Sequence, residues 1–344
     1  MGGAIGIIAN PVSGKDIRRL VANAPTSTLQ EKYTIVRRLV IGAAAAGADR
    51  FWFLSEPHRI CARAVETLEL PGVTYDHVPL EENYDESDTV RTVATMRELG
   101  VAVVIVLGGD GTSRAAALGW SDVPLIPLST GTNNVFPRFV EATVAGEAAG
   151  LVAAGHVALD EVAEPVKIIE VTVEGDAGAD ADLTGRDRPV DLALIDAVLV
   201  DERFVGSRAL FDPAALRLAV LSRAEPASVG VSSIGGLVLP CGSADDGGVL
   251  LRLGPADDGG RAVRAPLAPG WYATIGLAEA RRLADGEPVT VTGPGILAFD
   301  GERQRLLRAG QQATLRVVRR GPRVIDVPRA LRLAAERGTF LRQN

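Results

Sequence analysis

Val101-Ala-Val-Val-Ile-Val-Leu-Gly-Gly-Asp-Gly-Thr112 runs seven apolar, mostly β-branched residues straight into a glycine loop that carries one carboxylate and one hydroxyl. An apolar side chain at every position, rather than at alternate ones, predicts a strand covered on both faces and hence a parallel sheet between helical layers. The loop then falls at the carboxyl end of that strand, the edge on which open α/β sheets bind ligands. Gly108, Gly109 and Gly111 have no Cβ to keep the backbone from closing on a phosphate chain. Inward-turned N–H groups of such a loop, and of the helix expected to begin near Ser113, form an anion cradle. Asp110 is the unusual member, because a carboxylate repels phosphate unless it holds a metal ion or a proton. It reads either as a cap of the following helix or as a catalytic group.

At 344 residues the chain exceeds the usual size of a single core, which predicts about two domains. Hydrophobic residues at 47% and charged residues at 23% describe a folded globular chain, and aromatics at 4% leave its cores to Val, Leu, Ile and Ala. A net charge of −7 argues against a general nucleic-acid binder and towards small-molecule partners. Cys61 and Cys241 are far apart and His58, His77 and His156 are scattered, so neither a disulfide framework nor a zinc site is suggested. No window approaches the roughly twenty apolar residues of a membrane span, and the amino terminus opens almost directly into a strand; a cytoplasmic location is expected.

Two further loops share the chemistry of the first. Ile5-Gly-Ile-Ile-Ala9 is a short strand followed by Asn10-Pro-Val-Ser-Gly-Lys-Asp16. A Walker A loop is rejected, since Ala9 stands where that motif has its first glycine and Asp16 where it has a magnesium-binding Ser or Thr. Asn10, Ser13, Gly14 and Lys15 remain as donors able to line an anion; an exposed turn with a solvated lysine is the alternative. Apolar spacing predicts helices over 28–48 and 58–68, strands over 51–54 and 73–78, and a helix ending near Leu99 that Ser87 or Asp88 caps. After the glycine loop come a short helix over 113–118 and a strand over 123–128, whose end carries Ser129-Thr130-Gly131-Thr132-Asn133-Asn134. If the three strands are parallel, the three loops lie on one edge of one sheet.

Beyond Ala154 the pattern turns to alternation. Strands are expected over 166–173 and, as one element, 190–200, then around 236–239, 248–253, 271–275, 289–292, 296–299 and 313–318, with one helical segment near 213–221 and a Gly/Asp-rich turn over 174–188. Residues 323–338 read as a strand and a helix, with Pro328 in its first turn and Gly338 past its end. The chain thus divides into an α/β domain over 1–155, a mainly antiparallel β domain over 156–322 and a carboxyl-terminal strand and helix over 323–344 free to return to the first. The arginines crowded between Arg303 and Arg342 read for the most part as a solvated helix and sheet surface, contacts to phosphates being the alternative.

Gly108-Gly-Asp-Gly-Thr112, with Asn10-Pro-Val-Ser-Gly-Lys15 before it and Gly131-Thr-Asn-Asn134 and Phe299-Asp-Gly-Glu302 after it, resembles the NAD kinase and diacylglycerol kinase superfamily. Val205-Gly-Ser-Arg208 and Val327-Pro-Arg-Ala-Leu-Arg-Leu333 are similar to its ATP-NAD/AcoX kinase branch. The resemblance covers most of the chain in order. It implies an amino-terminal α/β nucleotide-binding domain, a carboxyl-terminal β domain, and a cleft in which ATP, with Mg2+, donates its γ-phosphoryl group; a homodimer is also implied. It makes Asp110 the catalytic carboxylate and places Asn10, Ser13, Gly14, Lys15, Gly108, Gly109, Gly111, Thr112, Thr130, Gly131, Thr132, Asn133 and Asn134 around the nucleotide. Asp196, Asp300 and Glu302 fall on the acceptor side, the last two as metal or ribose contacts, with an Asp-Gly turn between two strands as their alternative. Two departures stand out. Ala193-Leu-Ile-Asp196 replaces the Ala-Leu-Asn-Glu of NAD kinases, and Val231-Ser-Ser-Ile-Gly-Gly236 keeps only part of their second dinucleotide segment. The expected function is an ATP-dependent kinase with NAD as the leading acceptor. A lipid or other small hydroxyl compound is the alternative acceptor, and a non-catalytic nucleotide sensor the competing class.

Overall fold

The computed structural model describes residues 3–11, 13, 28–130, 134–174, 190–201, 212–256 and 260–341. Strands and helices alternate at first: β1 (Ala4–Ala9), α1 (Leu29–Ala45), β2 (Arg50–Phe53), α2 (Ile60–Val65), β3 (Thr74–His77), α3 (Glu86–Glu98), β4 (Val103–Gly108), α4 (Asp110–Gly119) and β5 (Pro124–Ser129). The helices α5 (Ala142–Ala153) and α6 (Leu159–Val162) and the strand β6 (Ala163–Pro165) follow. The first five strands are parallel, in the order β3-β2-β1-β4-β5. Successive side chains of β4 enter different cores: Val103, Ile105 and Leu107 one, Val104 and Val106 the other. That is the two-sided burial its uninterrupted apolar run requires. On the first side α1 and α5 touch through their backbones. A Cβ on Gly42 would lie 2.1 Å from the Thr143 oxygen and one on Gly146 2.1 Å from that of Leu39, so only glycine fits there.

The remaining strands are antiparallel, apart from the last. They are β7 (Ile168–Val173), β8 (Val190–Ala193), β9 (Asp196–Val200) and β10 (Leu216–Leu221), then, after α7 (Val231–Val238), β11 (Gly248–Gly254), β12 (Ala262–Ala268), β13 (Trp271–Leu283), β14 (Pro288–Thr292), β15 (Gly295–Phe299), β16 (Glu302–Leu307) and β17 (Gln312–Val318). Among the described residues they form a seven-stranded sheet, β12-β13-β11-β10-β9-β15-β16, and a four-stranded one, β14-β17-β7-β8. The two share an apolar interior that includes Val171, Leu199, Val220, Phe299 and Leu315. The chain then returns: β18 (Arg323–Ile325) pairs parallel with β5 and antiparallel with β6, and α8 (Val327–Glu336) follows it. The fold class is the expected one, a parallel α/β sheet joined to a mainly antiparallel β unit.

Several boundaries differ from the sequence pattern for identifiable reasons. Asp85, not Ser87 or Asp88, caps α3 by accepting from the Ser87 amide at 2.6 Å; the Asp88 carboxylate instead accepts from the amides of Asn83 and Tyr84. Helix α4 begins at Asp110 rather than Ser113, with Gly109 as its cap. Residues 190–200 are two strands, because the amides of Leu194, Ile195 and Asp196 leave the ladder to bond the Asp300 carboxylate. The helical segment expected near 213–221 is a single 3-10 turn followed by β10. Residues 231–238, expected to include a strand, form a helix whose glycines press on their neighbours: a Cβ on Gly236 would sit 2.3 Å from Glu225 carbonyl carbon. The insert over 175–188 and Val205-Gly-Ser-Arg208 lie outside the described residues.

Arg305 is an exception to the solvated reading of most of the late arginines. It is 1% exposed on β16 opposite Leu297, and all three guanidinium nitrogens are buried without a hydrogen-bond partner among the described residues. An unpaired buried cation opposes folding. Arg305→Met is therefore expected to stabilise the chain by about 1–3 kcal/mol, read as a higher denaturant midpoint at unchanged slope. An unchanged or lower midpoint contradicts this account of the residue.

Candidate active site

The loops at the carboxyl ends of β1, β4 and β5 meet, as parallel neighbours must. Asn10 donates its side-chain amide to Thr112 Oγ1 at 2.8 Å, Ser13 Oγ and Thr130 Oγ1 are hydrogen-bonded at 2.9 Å, and the Thr130 amide donates to the Gly108 carbonyl at 3.1 Å. Asn134 donates to Ser129 Oγ at 2.7 Å. A Cβ on Gly108 would fall 2.6 Å from Thr112 Oγ1, so this glycine is needed by the loop's own packing. Helix α4 starts from Gly109 with no side chain capping it, which leaves first-turn N–H groups and the positive end of the dipole for an anion. Gly14, Lys15, Gly131, Thr132 and Asn133 lie outside the described residues.

Asp110 is the first residue of α4 and is 8% exposed. Its carboxylate does not cap its own helix. It accepts from the amides of Val135, at 3.2 and 3.1 Å, and Phe136, at 2.9 Å, which fasten it to the third loop. Asp300 approaches from the β15–β16 turn, where it takes a left-handed φ of 51° ahead of Gly301. Its carboxylate accepts from Leu194 at 2.9 and 3.1 Å, Ile195 at 2.7 Å and Asp196 at 3.3 Å, while its own amide donates to the Asp196 carbonyl at 3.0 Å. The Asp-Gly sequence is thus both a turn and a buried carboxylate clasp. Glu302, two residues on, reaches the glycine loop: a Cβ on Gly111 would lie 3.5 Å from its Oε1. Asp196 is buried at the same junction.

Burial, then the charge of Asp110, pushes the Asp300 carboxyl from 3.8 up to about 7, against the pull of the Leu194 and Ile195 amides and of Arg114. The folded state therefore favours protonated Asp300. Its contribution to stability is complete below pH 4 and is lost as the pH rises through 7, because the unfolded carboxyl ionises first. Asp300→Asn, which cannot ionise, is expected to gain stability relative to the parent between pH 5 and 8, with a slope of up to about 1.4 kcal/mol per pH unit. Denaturant titrations in chelator-containing buffer at pH 5, 6.5 and 8 check this; parallel pH profiles would refute it.

Three cations complete the site and were not singled out as functional from sequence. Lys32 on α1 is fully buried and donates to the carbonyls of Asn10, Pro11 and Ser13 at 2.8, 3.2 and 2.9 Å, fixing the first loop. The scarcity of lysine in this arginine-rich chain was the available signal. Arg114, one turn after Asp110, binds Glu86 at 2.9 Å, Asp191 at 2.6 Å and the Leu192 carbonyl at 2.7 Å, and lies over the Phe299 ring at 5.3 Å. Arg223, just past β10, lies over the Phe136 ring at 5.1 Å. No local pattern in the sequence marks the two arginines apart from their place beside apolar runs.

No group of three or more His, Cys, Asp or Glu side chains among the described residues is arranged to hold a metal ion. Mg2+ ordinarily takes one or two carboxylates and completes its shell with water and phosphate oxygens. Asp110 and Glu302 fit that lesser demand. No described helix is long and apolar enough to cross a membrane.

Comparison with known proteins agrees with this architecture. Residues 5–157 match the ATP-NAD kinase N-terminal domain, and residues 167–320 the acetoin catabolism protein X C-terminal domain. Acetoin catabolism protein X of Cupriavidus necator is 36% identical over 339 residues, covering 96% of this chain and 92% of that protein. The crystal structure of yeast NADH kinase complexed with NADH shares the fold, with a TM-score of 0.53 at 12% identity over 100% of this chain and 89% of that one. A diacylglycerol kinase of Bacillus anthracis aligns over 94% of this chain and 97% of that one, at 14% identity and a TM-score of 0.42. The chain belongs to the acetoin catabolism protein X family and carries the N-terminal domain of the ATP-NAD kinases, a phosphotransferase family.

Proposed function

We propose that the chain transfers the γ-phosphoryl group of ATP to a hydroxyl of a small molecule at Asp110, with NAD as the leading acceptor. The observation that carries this reading is the setting of Asp110: a buried carboxylate, fastened by two backbone amides, at the uncapped start of a helix where three loops converge. Phosphoryl transfer asks a protein mainly for alignment and for neutralisation of spreading charge. The first-turn amides of α4, with Asn10, Ser13, Thr112 and Thr130, line the donor side. Asp110 accepts the proton of the attacking hydroxyl, and its anchoring by Val135 and Phe136 fixes the direction of attack. Asp110 or Glu302, together with the nucleotide, would hold Mg2+, which would supply charge neutralisation at the transferred group.

One observation favours an acceptor other than a dinucleotide. Ile195, which replaces the asparagine of NAD kinases, is 0% exposed and packs in the core with Val104, Val106 and Ala116. It presents nothing polar to a ligand. Transfer from γ-labelled ATP with magnesium to NAD, NADH, a diacylglycerol and small polyols tests both readings. Labelled NADP supports the leading one, and transfer only to another compound supports the second. ATP binding without transfer to any acceptor overturns both in favour of a nucleotide sensor.

A further inference from the structure

We propose that Arg223 is the acceptor-anchoring residue, and that the acceptor carries a carboxylate or phosphate beside its reactive hydroxyl. The inference rests on the kinase reading and narrows its substrate class. Arg223 is 6% exposed, and its Nε is sealed from solvent with no hydrogen-bond partner among the described residues. Its guanidinium makes no ion pair with a described residue, unlike Arg114, which has two. A buried guanidinium without an anion opposes folding; all three nitrogens of Arg305 are sealed, whereas only Nε of Arg223 is, so a ligand's anion can still reach Arg223.

Its position says which ligand. Phe136 links it to the reaction centre, since the Phe136 amide holds Asp110 at 2.9 Å and the Phe136 ring lies under the Arg223 guanidinium at 5.1 Å. Arg223 belongs to the β unit, on the strand end held where Ser232 Oγ donates to its carbonyl at 2.9 Å. The donor-side loops all come from the parallel sheet, so the two ligands approach Asp110 from different units. The charges around Arg223 fit an anion as well. Arg138, Arg319 and buried Lys167 add positive potential, against Asp110 and Glu225. Burial, opposed by Asp110, lowers the guanidinium to about 10, which leaves it charged at neutral pH. A hydroxyl set at Asp110 and an anion at Arg223 define a small hydroxy acid, a sugar or polyol phosphate, or the phosphate-bearing ribose of a dinucleotide. A neutral polyol or an uncharged lipid headgroup would leave Arg223 unpaired, and such sites reject ligands lacking the expected group.

The test compares the full chain with Arg223→Met, Arg223→Lys and Asp110→Asn, using glycerate, glycerol 3-phosphate, glycerol and NAD as probes. In kinetic runs with labelled ATP, Arg223→Met is expected to raise KM for the anionic acceptor about 10- to 100-fold. KM for ATP stays within about twofold, Arg223→Lys falls between, and preference for the anionic over the neutral compound disappears. In thermal shifts without ATP, the anions are expected to raise the midpoint of the parent and of Asp110→Asn but not that of Arg223→Met. Equal shifts in all three proteins would overturn the assignment, as would a variant that loses affinity for ATP instead. Loss of the shift in Arg223→Met without transfer by the parent to any probe would sink the kinase reading while leaving the anion subsite standing. Preference for glycerate or for glycerol 3-phosphate identifies the anion.

Discussion

Asp110→Asn is expected to lower kcat for phosphoryl transfer by about 10²- to 10⁴-fold, the usual contribution of a positioned general base, while the chain stays folded. The fold survives because an asparagine oxygen can still accept from Phe136, which now donates to Asp110 Oδ1 at 2.9 Å. One Val135 contact and a favourable charge at the start of α4 are lost, for a penalty of about 1–2 kcal/mol. Asp300 provides an independent readout. Its carboxyl is held up partly by the negative charge of Asp110, so removing that charge lowers it and weakens the pH dependence of stability between pH 5 and 8. Activity measured by labelled product and stability measured by denaturant separate the two effects. A variant that retains more than a tenth of the parental kcat would show that Asp110 only braces the loop.

The parallel sheet and its functional edge were legible because the deciding signals are local. The apolar run of β4 and the glycine loop after it set the strand, its two-sided burial and its loop-bearing end, and β1 and β5 repeat the arrangement. The Asp-Gly-Glu turn was equally visible. What it does was not, because the clasp on Asp300 depends on amides more than a hundred residues earlier. The same holds for Arg223, Arg114 and Lys32, whose roles arise from which strand ends the topology brings together. Helix α7 escaped for a related reason: Gly235 and Gly236 weaken its propensity, and packing against Leu221 and Glu225 overrides that weakness. The sequence pattern thus names the loops that converge at the strand ends, whereas the buried charges that orient them are a property of the assembled fold.

Arg114→Leu is expected to destabilise the chain by about 3–5 kcal/mol, the range for removing one member of a buried charge network. Arg114 holds three directions at once. Nη1 meets Glu86 on α3 at 2.9 Å, Nη2 meets Asp191 on β8 at 2.6 Å, and Nε donates to the Leu192 carbonyl at 2.7 Å. Leucine would leave Glu86 and Asp191, whose side chains are 16% and 11% exposed, facing each other without a cation, and would leave a buried carbonyl unbonded. Lysine keeps the charge but lacks the planar fork, so Arg114→Lys should recover only part of the loss. Adding Glu86→Gln and Asp191→Asn to Arg114→Leu should recover more than the sum of the separate changes predicts, because it removes the stranded charges. Position adds a catalytic consequence. Arg114 lies one turn beyond Asp110 and stacks on Phe299, the residue before Asp300, so it ties the helix bearing one carboxylate to the hairpin bearing the other. At a temperature where Arg114→Leu remains folded, kcat is expected to fall by about tenfold or more through misalignment, with KM for ATP little changed because the side chain is engaged by Glu86, Asp191 and Leu192. A destabilisation below about 1 kcal/mol, the value for an exposed ion pair, would mean that the two units are held in register by their apolar contacts instead.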